Sequence, residues 1–256
     1  MKSKRLSVLL IACVFFVVML VSCFTLFSVK KIQVNYAVGE STVSENVQAK
    51  LDKFLNKNLL FVSEKDVVDS LKEFHYMKVV SVDKQYPNVI KVELEQRKEV
   101  YEIVYNNTAY VTDETGFVLD SYPFVDSSIS ERDKIRIHLN EADGVAILNG
   151  DIGKVISTNE DEFVKQVFKM AMSVNLSNCI DSIKLEKAVE RDVVCFNTYT
   201  GVKILIREVF DDGENKVKEA FDVYDEGPTD YQKTYGVIEA IKLVETGKIQ
   251  AQWSEE

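Results

Sequence analysis

The sequence has few of the residues on which most enzyme active sites and metal sites depend. Its 256 residues include two histidines, four cysteines and ten glycines. No G-x-S-x-G segment, G-x-G-x-x-G segment or P-loop occurs, which argues against serine hydrolases, dinucleotide-binding enzymes and P-loop nucleotide triphosphatases. His75 and His138 are isolated, without the neighbouring histidine or cysteine pair that a zinc site needs. We therefore expect no catalytic residues, no metal ligands, no cofactor and no small-molecule substrate.

Cysteine is too scarce for a disulfide framework. Only Cys179 and Cys195 lie outside the apolar N-terminal segment, so one bridge is the most that the rest of the chain can form. If the strands that carry them are joined by a turn near residues 187–191, Cys195 faces a residue near Ile183 instead of Cys179. We therefore do not expect this bridge.

Basic residues are few beyond residue 31. Five of the 31 lysines and arginines precede Ile32, whereas all 41 aspartates and glutamates follow it, so the region from Ile32 onward has a formal charge of −15. A surface of this charge repels nucleic acid and anionic lipid headgroups. We therefore exclude DNA and RNA binding from the expected functions.

One segment has no charge at all. Residues 6–28, LSVLLIACVFFVVMLVSCFTLFS, are 23 uncharged residues, enough for a helix that crosses a hydrocarbon layer of about 30 Å. Lys2, Lys4 and Arg5 precede the segment and Lys30 and Lys31 follow it, which favours a cytoplasmic N-terminus. We predict a short cytoplasmic tail (1–5), a transmembrane helix (6–28) and an extracytoplasmic remainder.

Two other interpretations of this segment remain open. A cleaved secretory signal needs a shorter apolar core and a small-x-small site, whereas this segment continues through Phe24, Leu26 and Phe27. A lipoprotein signal fits Leu20-Val21-Ser22-Cys23, in which Cys23 could be acylated, although apolar residues follow where a polar tether is expected. We favour an uncleaved anchor on its length.

The segment after the anchor predicts strand, helix, helix, strand, strand. Apolar and polar residues alternate over 32–38 and again over 90–95, and residues 77–85 also indicate a strand. Val47, Leu51, Phe54 and Leu55 mark one face of a helix after a Thr42/Glu45 capping box, and Val67, Leu71 and Phe74 mark a second helix with its cap at Ser63 and Asp66.

This order, directly after a membrane helix, resembles a POTRA domain. The segments that carry the closer resemblance, to the FtsQ/DivIB family of bacterial division proteins, are KKIQVNYAVGESTVSENVQAKL, NKNLLFVSEKDVVDSL, DKQYPNVIKVELEQRKEV, NNTAYVTDETGFVLD and TYTGVKILI. The resemblance implies an α+β protein with a POTRA domain at 30–98, a β domain at 99–244 and a C-terminal hairpin or tail at 245–256. It also implies a septal membrane protein that is not an enzyme.

Beyond residue 98 the sequence predicts a strand-rich domain. Strands are expected at 100–105, 109–112, 117–122, 135–139, 145–148, 180–185, 193–197 and 202–206, and helices at 159–174 and 214–224. Gly116 suits a bulged hairpin. Asp211-Asp212-Gly213-Glu214 lacks the alternating oxygen donors of an EF-hand loop, so we interpret it as a turn with a helix cap.

The C-terminal segment is where the resemblance implies partner binding. Residues 237–244 fit a strand or a helix by pattern, and we favour a hairpin with a turn at 245–248 and a strand at 249–253. Family members receive a strand here from FtsB/DivIC, which associates with FtsL. The implied contact residues are Val237, Ile238, Glu239, Ala240, Ile241, Lys242, Gly247, Ile249 and Trp253. For Trp253, the only tryptophan, covering an edge of the core is an equally good interpretation.

The leading hypothesis is thus a non-enzymatic, single-pass membrane scaffold at the division septum. The alternative is a surface lipoprotein, or an exported binding or enzymatic protein, anchored at Cys23.

Overall fold

The computed structural model describes residues 2–36, 45–125, 134–174, 179–187, 192–226, 234–243 and 245–255. The chain divides into two compact units, one ending at Arg97 and one beginning at Lys98. The predicted Thr42 cap lies outside the described residues.

The first unit has the predicted order of elements. It contains α1 (Lys2–Leu26), β1 (Lys31–Tyr36), α2 (Glu45–Asp52), α3 (Glu64–Ser70), β2 (Met77–Gln85) and β3 (Val89–Gln96). β3 is the central strand, parallel to β1 and antiparallel to β2. Alternate residues of β3, including Val92 and Leu94, are fully buried and pack with Val47 and Leu51 of α2 and Val67 of α3. The predicted order of elements is therefore confirmed, and the apolar sides of these elements form one core. Both helices are shorter than predicted, because α2 ends before Phe54 and α3 ends before Leu71.

Two local details differ from the expectation. α2 ends at Asp52, and Phe54 is buried in the turns that follow it. Ser63 stands at the N-cap of α3 but makes no side-chain capping hydrogen bond, so the predicted cap there is wrong in its chemistry. The short α3 is held by burial of Val67 and Leu71 against the sheet.

Helix α1 begins at Lys2 and ends at Leu26, two residues before the end of the uncharged segment. Counted over the residues that the structure describes, no helix is both long and apolar enough to cross a membrane.

The second unit is built on one long mixed sheet. Its elements are β4 (Tyr101–Tyr105), β5 (Thr108–Thr112), β6 (Val118–Pro123), β7 (Ile135–His138), a 3-10 helix (Glu141–Asp143), β8 (Ile147–Asn149), β9 (Ser157–Thr158), α4 (Asp161–Ser173), β10 (Ile180–Lys187), β11 (Asp192–Thr198), β12 (Lys203–Arg207), α5 (Gly213–Glu226), β13 (Val237–Lys242) and β14 (Ile249–Ser254). Nine strands pair in the order β14-β13-β12-β11-β10-β7-β4-β5-β6 in the described part, and β8 pairs with β9.

Helices α4 and α5 contribute to the core of this sheet. The Phe168 ring of α4 stacks on Tyr101 of β4 with ring centroids 4.6 Å apart, and Phe221 of α5 meets Phe196 of β11 edge-on at 6.1 Å. Leu185, Ile206 and Ile238 from the same sheet join this core. The C-terminal strands therefore stand on a packed support.

Candidate partner-binding edge

The C-terminal segment forms the hairpin that the sequence favours. β13 and β14 pair antiparallel from Val237 opposite Ser254 to Lys242 opposite Ile249. Gly247 lies in the connecting turn with φ of +66°. β13 also pairs parallel with β12, so β14 is the last strand of the nine-stranded sheet among the described residues.

The residues named from the sequence divide between the two faces of this hairpin. Ile238 and Ala240 are fully buried, and Trp253 and Ala251, their partners on β14, pack against the same core. Glu239 and Ile241 alternate with them and lie on the other face. The apolar face of the hairpin is therefore already covered, which leaves its edge and its second face for a partner.

Trp253 closes one end of the hairpin. Its indole Nε1–H donates to the Tyr235 carbonyl at 3.3 Å, and its ring meets the Tyr235 ring edge-on at 5.6 Å. Gly236 fits between them, since a Cβ there would lie 2.7 Å from the indole nitrogen. The interpretation of Trp253 as a cover for the core is supported by these contacts.

The hydrogen-bond alternation of the hairpin identifies the outward backbone groups. The Leu243 N–H donates to the Lys248 carbonyl at 2.8 Å, which makes residues 243 and 248 a hydrogen-bonded pair. In an antiparallel ladder such pairs recur every second residue, so residues 250, 252 and 254 face β13. The N–H and C=O groups of Ile249, Ala251 and Trp253 therefore point away from β13, along the edge of the sheet.

The opposite end of the sheet is covered at the start of β6. Val118 at the start of β6 donates its N–H to the Lys154 carbonyl at 2.8 Å and accepts from Gly153 at 2.9 Å, and Phe117 bridges to Val155. β6 ends at Pro123, which has no N–H to offer. Of the two end strands in the described sheet, β14 is thus the one suited to accept a further strand.

Two ion pairs hold β13 in place, one on each face of the strand. Arg207 of β12 donates to Glu239 of β13. Lys242 Nζ lies 2.7 Å from Asp211 Oδ1, and this hydrogen bond raises the pKa of Lys242 and lowers the pKa of Asp211. These pairs connect β13 to β12 and to the loop before α5. They therefore help to fix the position of β13, with which β14 pairs.

Sequence reasoning missed two buried polar groups elsewhere in the sheet unit. Glu102 of β4 lies beside Arg136 of β7 and accepts its Nε–H at 2.5 Å, and it also accepts from the Tyr122 hydroxyl. Burial and this hydrogen bond raise the pKa of Tyr122 to about 12. The second group, Lys216, donates to two carbonyls beneath α5. Only the pairing of strands distant in sequence brings Glu102 and Arg136 together, so no local pattern could have indicated them.

The remaining candidates from the sequence lie in different elements. His75 follows α3 and His138 ends β7, and no group of three potential metal ligands occurs in the described ranges. Cys195 lies opposite Lys184, one residue from the expected Ile183, while the Cys179 carbonyl accepts from Tyr199. Asp211 and Asp212 lie in the turn that precedes α5, which begins at Gly213.

Comparison with known proteins agrees with the fold. Residues 27–97 match the family described as "POTRA domain, FtsQ-type", which spans β1 to β3. Over 201 residues the chain is 24% identical to the cell division protein DivIB of Clostridium acetobutylicum, covering 77% of this chain and 73% of that protein. The resemblance to the FtsQ/DivIB family is confirmed. Because the match to DivIB is longer than the POTRA domain, it also includes part of the sheet unit.

Proposed function

We propose that this protein is a non-enzymatic, membrane-anchored scaffold of the bacterial division machinery. The family resemblance supports a role in cell division. The observation that carries the scaffold proposal is the edge of β14, where three outward pairs of backbone groups lie on a well-packed support. Main-chain pairing with an added strand is a common way for one protein to hold another.

The proposed partner is an FtsB/DivIC-like bitopic protein that brings an FtsL-like protein with it. Its extracytoplasmic segment would add a strand along Ile249, Ala251 and Trp253. The second face of the hairpin, with Glu239 and Ile241, would contact its side chains, and Lys242 lies at the end of β13 on the other face. Gly247 would keep the hairpin turn clear of the added strand.

The proposed anchor is the uncharged segment 6–28, with residues 1–5 in the cytoplasm and the two folded units outside the cell membrane at the septum. Two observations favour it over a lipoprotein linked at Cys23. Helix α1 continues past that residue to Leu26. Phe27 and Val29 are already bonded to the folded unit, so no flexible tether follows the cysteine.

A proline substitution tests the edge directly. Ala251→Pro removes one outward N–H and leaves the inward bonds of residues 250 and 252 in place, because proline is tolerated on the outer side of an edge strand. We expect the full chain to fold but to lose capture of the DivIC-like partner in a membrane pull-down. Ala251→Val, which keeps the N–H, is the matched control and should retain capture. If the folded proline variant captures the partner as well as the wild type does, the partner binds at a site other than the edge of β14.

The anchor is tested by the intact mass of the protein extracted from membranes. The full chain from its N-terminus is expected. A diacylglycerol adduct on a chain that begins at Cys23 would establish the lipoprotein alternative instead.

A further inference from the structure

Exposed apolar side chains collect at one end of the first unit, where α1 enters the POTRA domain. Phe61 is 75% exposed, Tyr86 60%, Phe24 56% and Leu60 47%. The Phe24 and Phe61 ring centroids are 6.2 Å apart, and Phe27 meets Tyr86 edge-on at 6.0 Å. We call these five residues the interfacial collar. Single exposed apolar residues are ordinary on a protein surface, but a cluster around a helix exit needs an explanation.

Backbone bonds fix the collar to the end of α1. The Leu59 N–H donates to the Phe27 carbonyl at 2.7 Å, and Ser28 bridges to Asn58. The Val29 N–H donates to the Lys57 carbonyl at 2.8 Å. Four residues separate the end of α1 at Leu26 from the start of β1 at Lys31, and these bonds attach them to the loop at 57–59. The distance between the helix end and this loop is therefore fixed.

The loop that carries Leu60 and Phe61 is shaped to present them outward. Asn58 accepts the Phe61 N–H at its carbonyl and the Leu60 N–H at its side-chain oxygen. Leu59 and Val62, on either side, are buried in the domain core. The chain thus buries Leu59 and Val62 and exposes Leu60 and Phe61 between them. Exposing two large apolar side chains to water does not stabilise a loop.

We infer that the interfacial collar lies in the membrane–water interface and seats the POTRA domain on the bilayer surface. This inference rests on the proposed anchor. If the segment 6–28 spans the bilayer, the backbone bonds place the loop at 58–61 and Tyr86 at headgroup depth. Aromatic side chains are favoured at that depth, where an apolar ring meets a polar environment. The exposed Lys30 and Lys57 lie beside the collar and can extend their ammonium groups towards lipid phosphates. This local contact does not depend on the negative net charge of the region after residue 31.

The far end of the same sheet provides the internal comparison. β1 begins opposite Val89, next to the β2–β3 turn, so Tyr86 is at the anchor end and Met77 is at the far end. Val80, 49% exposed, lies five residues along β2 from Gln85, or about 17 Å further from the anchor. A bilayer contact at the collar should therefore not reach Val80.

Tryptophan fluorescence in liposomes tests the inference. The full chain carries Trp253→Phe as background, and one tryptophan is introduced by Phe61→Trp, Val80→Trp or Phe16→Trp. The liposomes contain phosphatidylcholine brominated at a shallow or a deep chain position. We expect shallow-brominated lipid to quench the Phe61→Trp variant roughly twofold or more over the Val80→Trp variant, with a blue-shifted emission, as for interfacial aromatic residues.

Each other outcome counts against a defined part of the argument. Deep quenching of the Phe16→Trp variant with none for the Phe61→Trp variant would keep the anchor and overturn the collar. No quenching of the Phe16→Trp variant would overturn the anchor and the collar with it. Water-exposed emission from the Phe61→Trp variant that becomes shielded only when bitopic partner proteins are added would assign the collar to a protein contact and overturn the lipid assignment.

Discussion

At the scale of single residues, two glycines of the candidate site have different structural roles. Gly236 has φ of +97°, and a Cβ there would lie 2.7 Å from the Trp253 indole nitrogen and 2.8 Å from the Ser254 carbonyl. Gly247 has φ of +66° but no atom within 4 Å of its Cβ position. The first glycine provides close packing as well as backbone freedom, while the second provides backbone freedom alone.

We predict that Gly236→Ala loosens the C-terminal hairpin. The clash with Trp253 adds to a backbone strain of about 1–3 kcal/mol, so the indole should lose its contact with Tyr235. The emission of Trp253, the only tryptophan, should shift to the red, and capture of the partner should weaken. Gly247→Ala is the matched control, with a cost of about 1 kcal/mol and no shift in emission. Equal effects of the two variants would show that packing at Gly236 is unimportant.

Lys216 is a buried lysine with a structural role. It is 1% exposed, and its Nζ–H groups donate to the carbonyls of Arg207 and Glu208 at 2.9 and 3.2 Å. Burial lowers its pKa from the usual value of 10.5. The Lys216 ammonium group therefore provides hydrogen-bond donors for two backbone carbonyls of the loop before α5. Its burial costs desolvation free energy.

This arrangement predicts a dependence of stability on pH. Between the lowered folded pKa and the unfolded value near 10.5, the unfolded chain binds more protons than the folded chain. The free energy of unfolding of the wild type should therefore rise with pH through this range, relative to Lys216→Met. Urea denaturation of both proteins from pH 7 to pH 10.5 measures the difference. Lys218→Met removes the same charge from an exposed position of α5 and controls for net charge. A difference in free energy of unfolding between wild type and Lys216→Met that stays constant from pH 7 to pH 10.5 would contradict the prediction.

At the scale of elements, the pairing of β4 with β7 includes one buried charge pair. Glu102 and Arg136 lie side by side in the two parallel strands, with side chains 10% and 7% exposed. The Phe124 ring lies 4.7 Å from the Arg136 guanidinium carbon. Loss of one partner would leave the other charge in a largely dry environment.

We predict that Arg136→Met lowers the free energy of unfolding by about 3–5 kcal/mol, the usual cost of removing one partner of a buried ion pair. The double variant Glu102→Gln/Arg136→Met should cost clearly less than the sum of the two single variants. Urea denaturation of the four proteins in a double-mutant cycle gives the coupling. If the losses in free energy of unfolding of the two single variants add up to that of the double variant, the ion pair contributes no interaction energy beyond packing.

The elements themselves were largely predictable because their signals are local. The apolar period over residues 159–174 predicts α4, observed at Asp161–Ser173, and the alternation in Ile90, Val92 and Leu94 predicts β3. The order of the strands was not predictable, because β10 pairs with β7 across a 3-10 helix, two short strands and α4. For the candidate site the hairpin was predictable, but its position at the end of the sheet was not. That position depends on which strand β13 joins, and the pairing with β12 spans the whole of α5.

At the scale of the whole molecule, charge is divided sharply along the chain. The proposed cytoplasmic tail holds Lys2, Lys4 and Arg5, and no acidic residue occurs before Ile32. Only Lys30 and Lys31 oppose this bias on the other side of the apolar segment. Orientation in a membrane follows the lysines and arginines near the span, so the three N-terminal charges should decide it.

We predict that residue 3 faces the cytoplasm and residue 252 faces outward. In a chain without native cysteines, a membrane-impermeant maleimide should label Gln252→Cys on intact protoplasts and Ser3→Cys only after permeabilisation. Replacing Lys2, Lys4 and Arg5 by serine should produce a mixed population, because two lysines then favour the reverse orientation. Replacing Lys30 and Lys31 by serine instead is the matched control and should leave a single orientation. Labelling of Ser3→Cys on intact protoplasts would reverse the topology, and the edge of β14 would then face the cytoplasm, out of reach of an extracytoplasmic partner.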